Sequence, residues 1–182
     1  MVYTALLRGI NVGGNNKIDM KLLKETFERA GMESVITYIN SGNVIFSNRK
    51  YSKEALQILL QNAIYEDFQL DIKVLIRSFN DYTDMMKYLP DDWKNDNDMK
   101  SDVLFLAEEM NKDTLSEELK AKPQIDTVIF APGAVLWAID RKDVTKSGLQ
   151  KLIGTSIYKN MTVRNVNTTR KIYDIMKKIH EK

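Results

Sequence analysis

Residues 35–47 are VITYINSGNVIFS, two β-rich runs separated by a polar turn. The runs at residues 35–39 and 44–47 favour strands, and the Asn-Ser-Gly-Asn composition of residues 40–43 is typical of a hairpin turn. The elements on either side of this hairpin decide the fold, because their order determines which strands can pair.

A strand and a helix precede the hairpin, and a helix and a strand follow it. Residues 2–8 form an almost unbroken apolar run, as in a central strand. A helix is predicted from about Asp19, a favourable N-cap, to Ala30. Residues 52–68 carry apolar side chains at helical spacing, and residues 72–76 alternate as an edge strand does. The first half therefore has the order βαββαβ.

The same order returns in the second half of the chain. Strands are predicted at residues 103–107, 127–130, 135–139 and 161–164, with helices at residues 113–121 and around residues 149–153. A last helix follows, with four apolar residues on one face: Ile172, Ile175, Met176 and Ile179.

This pattern predicts an α+β protein of two ferredoxin-like βαββαβ halves, related by duplication and packed together, with an additional C-terminal helix. In such a fold the first and third strands lie at the centre of an antiparallel sheet. The predicted domains are residues 1–78 and residues 101–182, the latter including the C-terminal helix. Residues 79–100 are predicted to be a helical and polar linker, in which Trp93 is expected to be exposed.

Composition excludes several classes of chemistry. The 182 residues include 27 basic and 25 acidic side chains, a formal net charge of +2, so no field of one sign favours a polyanionic partner. There is no cysteine and only one histidine, His180, which argues against thiol nucleophiles, Ser-His-Asp triads and multi-histidine metal sites. We expect neither a metal nor a cofactor. The N-terminal apolar run is too short to span a bilayer, so we expect a cytoplasmic protein without a membrane partner.

The first strand-to-helix connection is longer in the first half than in the second. Leu6 in the first half corresponds to Leu106 in the second, an offset of 106 − 6 = 100 residues. Gly42 corresponds to Gly133, an offset of 133 − 42 = 91 residues, which is nine residues smaller. This excess is occupied by GINVGGNNK at residues 9–17, and long connections in compact domains are often binding loops.

The glycine-rich loop is a candidate anion site. Its glycines can adopt positive φ and expose N–H groups, and the following helix offers its N-terminal dipole. It does not match a P-loop, which has lysine directly after the second glycine. The alternative is a long structural turn whose asparagines hydrogen-bond its own backbone. The candidate binding residues of the loop and of the hairpin turn are Arg8, Asn11, Gly13, Gly14, Asn15, Lys17, Ser41 and Asn43.

A second candidate segment, RNVNTTRK at residues 164–171, opens the C-terminal helix. Asn167 or Thr168 is the expected N-cap, and capping alone is an alternative explanation of the polar cluster. The candidate binding residues here are Arg164, Asn165, Asn167 and Thr168. Lys146 and Ser147 form a weaker third candidate, for which ordinary helix-start chemistry is the alternative.

Three motifs carry a resemblance to a known family. ALLRGINVGG at residues 5–14, YINSGNVIF at residues 38–46 and RNVNT at residues 164–168 resemble the bacterial family numbered 1697 among the domains of unknown function. The resemblance covers essentially the whole chain and implies a doubled ferredoxin-like α+β fold, with no assigned activity. The serine-lysine-leucine stretch of that family corresponds here to the Lys-Ser-Gly-Leu of residues 146–149.

The leading functional hypothesis is a small-ligand module that holds an anionic, phosphate-bearing ligand between the glycine-rich loop and the segment at residues 164–168. The alternatives are a nucleic-acid-binding module, since βαββαβ sheets can stack bases on aromatic side chains, or a protein-interaction and dimerisation module. The sequence contains no recognisable catalytic motif, so enzymatic activity stays open.

Overall fold

The computed structural model describes residues 1–108, 110, 115 and 118–182. The chain divides into two compact units, one formed by Met1–Tyr82 with Lys171–Lys182 and the other by Thr83–Arg170. Each unit contains a four-stranded antiparallel sheet and helices, which confirms the predicted α+β class. Within the described part of the chain, no helix has both the length and the apolar character needed to cross a membrane.

The first unit has the predicted order of elements. These are β1 (Val2–Leu7), α1 (Met20–Arg29), β2 (Glu33–Tyr38), β3 (Asn43–Ser47), α2 (Lys53–Phe68) and β4 (Val74–Ser78). The strand order is β2-β3-β1-β4, so the first and third strands are central, as predicted. The register aligns Ala5 with Val44 on one side and with Ile76 on the other.

Capping residues and an aromatic core explain these boundaries. Asp19 and Ser52 cap the two helices with side-chain oxygens, and Gln69 ends α2 in the left-handed conformation. Between the helices and the sheet, Phe46 stacks with Tyr3 and meets Phe27 edge to face. The hairpin at residues 35–47 therefore packs against the core of the unit through Phe46.

The second unit has its own sheet and core. Its elements are β5 (Met99–Leu106), β6 (Asp126–Ala131), β7 (Ala134–Asp140), α4 (Gly148–Leu152) and β8 (Met161–Asn165). The strand order is β6-β7-β5-β8, the same relative order as in the first sheet. Of the helix predicted at residues 113–121, residues 113, 114, 116 and 117 lie outside the described residues.

The predicted linker is more ordered than its composition suggests. A helix, α3 (Phe79–Met86), begins directly after β4, and β5 already includes Met99. Trp93 is only 6% exposed, so the expectation that it would be exposed is wrong. The reason is tertiary: the Arg170 guanidinium donates hydrogen bonds to the Trp93 and Pro90 carbonyls, at 2.6 and 2.7 Å, and fixes this turn of the chain.

The C-terminal helix, α5 (Val166–His180), begins in the second unit and ends in the first. The predicted domain boundaries put all of this helix with the second half. The difference arises from ring stacking: the Tyr173 ring lies 5.8 Å from the Phe79 ring and 6.1 Å from the Tyr82 ring, centroid to centroid. The His180 ring stacks on Phe79 at 4.3 Å. Sequence spacing shows the apolar face of a helix but does not show what that face packs against.

Candidate functional site

The glycine-rich loop closes on its own backbone. The Asn15 N–H donates to the Val12 carbonyl at 3.1 Å, and the Asn11 N–H donates to the Asn16 carbonyl at 3.2 Å. Gly13 and Gly14 form the exposed tip with positive φ, as predicted. The loop is thus a small hairpin that presents its tip to solvent.

Asn11 anchors this loop. Its side-chain amide donates to the Ile18 and Asn40 carbonyls, both at 2.9 Å, and its side-chain oxygen accepts the Ile18 N–H at 2.9 Å. Asn16 adds a bond from its side chain to the Gly9 carbonyl at 3.1 Å. These are the self-directed hydrogen bonds of the alternative interpretation, and they fix the loop to the turn at residues 40–43.

The N-terminus of α1 already holds a carboxylate. The Asp19 side chain accepts hydrogen bonds from the N–H groups of Lys21 and Leu22, at 2.7 and 3.0 Å. Because these N–H groups are the ones that an anion would use, the helix N-terminus contributes little to an anion site here. Lys17 lies exposed in the loop, and the Arg8 N–H donates to the Lys73 carbonyl at 3.0 Å.

The hairpin turn is closed by its own amide side chain. Asn43 is buried and donates to the Tyr38 carbonyl at 3.0 Å and to the Ser41 hydroxyl at 3.1 Å. Gly42 has a φ of +78°, and a Cβ at this position would lie 2.7 Å from the Leu7 Cβ. Only glycine fits here, so the motif in this turn has a structural explanation.

The segment at residues 164–168 starts α5, but its N-cap differs from the predicted one. The Asn165 side-chain oxygen accepts the Thr168 N–H at 2.9 Å, which makes Asn165 the N-cap in place of Asn167 or Thr168. The predicted position was wrong because β8 runs directly into the helix without an intervening turn. Asn167 instead donates to the Asn95 carbonyl at 3.0 Å, and Arg164 donates to the Val163 carbonyl at 2.8 Å.

Ser147 belongs to a buried hydrogen-bond cluster around Asp126. This carboxylate accepts from the Ser147 hydroxyl, the Trp137 indole N–H at 3.1 Å and the Gly148 and Lys122 N–H groups at 2.9 and 2.8 Å. Burial raises the pKa of Asp126, but these donors outweigh burial and hold the pKa below its usual range. Ser147 also caps α4 through the Leu149 N–H, so its role is structural.

Lys146 lies outside this cluster. It is exposed, and its ammonium group pairs with Asp143 at 2.9 Å. At the third predicted site, therefore, Ser147 has a structural role and Lys146 forms an ion pair at the surface.

A cavity of about 310 Å³ opens in the second unit. Its polar lining consists of Asn95, Lys100, Asp102, Arg141, Gln150 and Asn165, and its apolar lining includes Leu149, Ile153, Tyr158 and Val163. This volume lies at the lower end of the range for small-molecule sites. We take this cavity as the candidate functional site, and we call it the β5–β8 cavity.

The β5–β8 cavity lies on the face of the second sheet that also packs the core, beside the short helix α4. Lys100 and Asp102 alternate along β5 with the same phase as Leu104 and Leu106, which belong to the core under the helices. The helix between the third and fourth strands spans 16 residues in the first unit but only five in the second, where it is α4. Polar side chains line the cavity beside α4.

Hydrogen bonds hold the polar lining in place. The Arg141 Nε donates to the Asp96 carbonyl at 2.8 Å, and its Nη2 donates to the Asn95 side-chain oxygen at 3.1 Å. Lys100 pairs with Asp102, whose side chain is only 7% exposed. The lining thus carries two basic groups and one acidic group, a formal charge of +1.

The comparisons with known proteins agree with this architecture. The family described as "Protein of unknown function (DUF1697)" matches residues 1–137. The chain belongs to the DUF1697 family. A solved structure, that of a conserved bacterial protein from Streptococcus pneumoniae, is similar with a TM-score of 0.83 and 28% identity, over 96% of this chain and 98% of the other. None of the curated proteins matches.

The DUF1697 match includes only part of the β5–β8 cavity. Lys100 and Asp102 lie within residues 1–137, whereas Arg141 and Asn165 lie beyond them. The glycine-rich loop and the hairpin turn lie fully within the match. Because the similar solved structure covers almost the whole chain, the second unit as a whole is nevertheless shared with that bacterial protein.

Sequence reasoning found one member of this cavity in the DUF1697 chain, Asn165, and missed Asn95, Lys100, Asp102 and Arg141. Lys100 and Asp102 lie on one strand, the others lie elsewhere in the chain, and together they form no motif. A signal was present only in the short helical pattern at residues 149–153. Among the described residues, no three histidine or acidic side chains gather as a metal site requires.

Proposed function

We propose that the protein is a small-ligand-binding module whose ligand carries an anionic group, held in the β5–β8 cavity by Arg141 and Asn165. The observation that carries this proposal is the fixed Arg141 guanidinium at the edge of a cavity of ligand size. Arginine suits such a role because its planar set of N–H donors matches the oxygens of carboxylates and phosphates.

Preorganisation supports the proposal. Two nitrogens of Arg141 are bound to the chain, while its Nη1 makes no hydrogen bond to the residues that the structure describes. The Asn165 oxygen is likewise engaged by the Thr168 N–H, which leaves its Nδ2 as a donor for the cavity. A ligand that meets donors already held in place loses less conformational entropy on binding.

A contribution from the glycine-rich loop stays a prediction. Its tip and Lys17 are exposed, but Asp19 occupies the N–H groups of the adjacent helix. A Lys17→Ala variant would test this part separately, because its effect on anion binding would reveal a loop contribution without altering the β5–β8 cavity.

A thermal-shift panel tests the proposed function. The probes are sodium phosphate, acetate, citrate and propyl phosphate, each compared with sodium chloride at equal ionic strength. A ligand at a hundredfold excess over its Kd stabilises the folded state by about 2.7 kcal/mol, an easily measured shift. We expect a shift that Arg141→Ala abolishes, while the matched variant Arg49→Ala, at an exposed position, retains it. Shifts that are absent, or equal in both variants, would contradict the proposal.

We also infer that the two halves arose by duplication of one ferredoxin-like unit. The equal strand orders, β2-β3-β1-β4 and β6-β7-β5-β8, support this. A cytoplasmic location remains a prediction that cell fractionation would test.

Self-association is a second candidate function, favoured by the edge strand β2. It lies at the end of its sheet order, and Ile36 on it is 41% exposed. Edge strands with exposed apolar side chains can pair with a second copy of the chain. Light scattering of the wild type and of Ile36→Lys tests this: a wild-type monomer at micromolar concentration would exclude it.

Nucleic-acid binding has less support. The aromatic side chains on the central strands are buried, including Tyr3, Phe46, Phe105 and Trp137. A platform for stacked bases needs such rings on an exposed sheet face.

A further inference from the structure

Asp102 is an unusual carboxylate in the wall of the β5–β8 cavity. Its side chain is more than nine-tenths buried, and its Oδ2 pairs with Lys100. Its Oδ1 makes no hydrogen bond within the described residues. Among the same residues, every side-chain oxygen that is fully buried has a hydrogen-bond partner. The Oδ1 atom is therefore accessible, and since Asp102 lines the cavity, it is accessible from there.

Asp126 shows how the same unit treats a carboxylate that serves the fold. Both oxygens of Asp126 accept hydrogen bonds, from Ser147 and Trp137 on one side and from Gly148 and Lys122 on the other. A carboxylate has about four acceptor positions, and the buried structural example uses four of them. Among the described residues Asp102 uses one, and it lines a space of ligand size.

The charge balance defines the kind of group that Asp102 can accept. Lys100 already neutralises Asp102, so a second cation at Oδ1 would lie beside the Lys100 ammonium group. A neutral hydroxyl donates a hydrogen bond without this repulsion, and its bond to an ionised acceptor is stronger than one between neutral groups. The Tyr158 ring and the Ile153 side chain offer apolar surface for the carbon atoms of the same ligand.

We propose that the ligand is a small hydroxylated anion, such as a sugar phosphate or a hydroxy acid, whose hydroxyl group donates to Asp102 while its anionic group meets Arg141. This inference rests on the proposed function and adds the ligand class. The Arg141 backbone N–H bonds to the Asp98 carbonyl, directly before β5, so four residues separate this point of the backbone from Asp102, about 13 Å at ~3.3 Å per residue.

Two isosteric trios of phosphate monoesters test the inference by calorimetry. The short trio is propyl, 2-hydroxyethyl and 2-aminoethyl phosphate, and the long trio is pentyl, 4-hydroxybutyl and 4-aminobutyl phosphate. Within each trio only the terminal methyl, hydroxyl or ammonium group differs. We expect the hydroxyl member of at least one trio to bind fivefold or more tightly than the methyl member, with the ammonium member no tighter than the hydroxyl member.

An Asp102→Val variant, which removes the acceptor and introduces a compact side chain that suits a strand, should reduce the hydroxyl preference to less than twofold and retain the binding of propyl phosphate. Asp140→Val, at an exposed position on the neighbouring strand, is the control and should retain the preference. The comparison within the wild type requires no variant, so it stays decisive if Asp102→Val does not fold.

The outcomes separate the two proposals. Equal affinities of the hydroxyl and methyl members, or a preference for the ammonium members, would overturn the hydroxyl inference and leave the anion site intact. Failure of every phosphate ester to bind, together with no shift in the thermal panel, would overturn both.

Discussion

Replacing the buried carboxylate at Asp126 by asparagine should destabilise the second unit. In the wild type, Ser147 and Trp137 donate to one carboxylate oxygen, and the N–H groups of Gly148 and Lys122 donate to the other. Asparagine has only one side-chain oxygen. Whichever way the amide is oriented, its NH₂ group faces two donors and accepts from neither.

The magnitude follows from these two lost pairs. A buried donor left without an acceptor costs about 1–3 kcal/mol, so two of them cost roughly 2–6 kcal/mol. We expect a loss of about 3 kcal/mol in the free energy of unfolding at pH 7, since small shifts of the backbone relieve part of the strain. For a chain of this size, that loss corresponds to a decrease of roughly 6–12 °C in Tm.

The effect should depend on pH in one direction. The donors hold the pKa of Asp126 below its usual range in the folded state, despite the opposing effect of burial. A carboxyl group with a depressed folded pKa stabilises the protein above its unfolded pKa of about 3.9, and this contribution disappears as the pH falls through the folded value. The difference between wild type and variant should therefore be constant from about pH 7 to pH 5 and shrink below about pH 4.

Urea denaturation at pH 7, 5 and 3.5 measures this difference, with Asp92→Asn as a matched change at an exposed position. The control should alter the free energy of unfolding by less than about 0.5 kcal/mol at each pH. A loss at Asp126 no larger than in the control, or a loss that is undiminished at pH 3.5, would show that the cluster does not stabilise the ionised carboxylate.

Three further substitutions test the packing. Gly148→Ala should lower the free energy of unfolding by about 3 kcal/mol, because the new Cβ would lie 2.1 Å from the Lys120 carbonyl oxygen; an equal loss in Lys151→Ala, at an exposed position of the same helix, would contradict this. Asn11→Ala should increase amide exchange throughout residues 9–17, since three hydrogen bonds are lost, and unchanged exchange would refute the anchoring role. Tyr173→Ala should cost about 2 kcal/mol by urea denaturation, and a cost below 0.5 kcal/mol would contradict the stacking argument.

Most of the local structure could be predicted from the sequence. The hairpin at residues 35–47 follows from β-branched and aromatic runs on either side of Asn-Ser-Gly-Asn, and Asp19 and Ser52 are recognisable helix caps. These features depend on residues within a few positions of one another. Local sequence patterns also located the glycine-rich loop but not its function. A loop that forms hydrogen bonds to its own backbone and a loop that binds a ligand use the same residue types.

Most residues of the candidate site could not be predicted from local sequence patterns. Asn165 was identified because it opens a helix, but Lys100 and Asp102 on β5 and Arg141 directly after β7 belong to no recognisable motif. Trp93 illustrates the same limit, since its polar neighbours in sequence indicate exposure while tertiary contacts bury it.

The amino-acid sequence by itself determined the order of strands and helices in both halves, since periodicity, caps and turns act over short distances. Only the tertiary structure decided that residues of β5, of β8 and directly after β7 meet around one cavity beside the five-residue helix α4. The physical reason is that a cavity is formed where packing stops, and where packing stops depends on residues far apart in the chain.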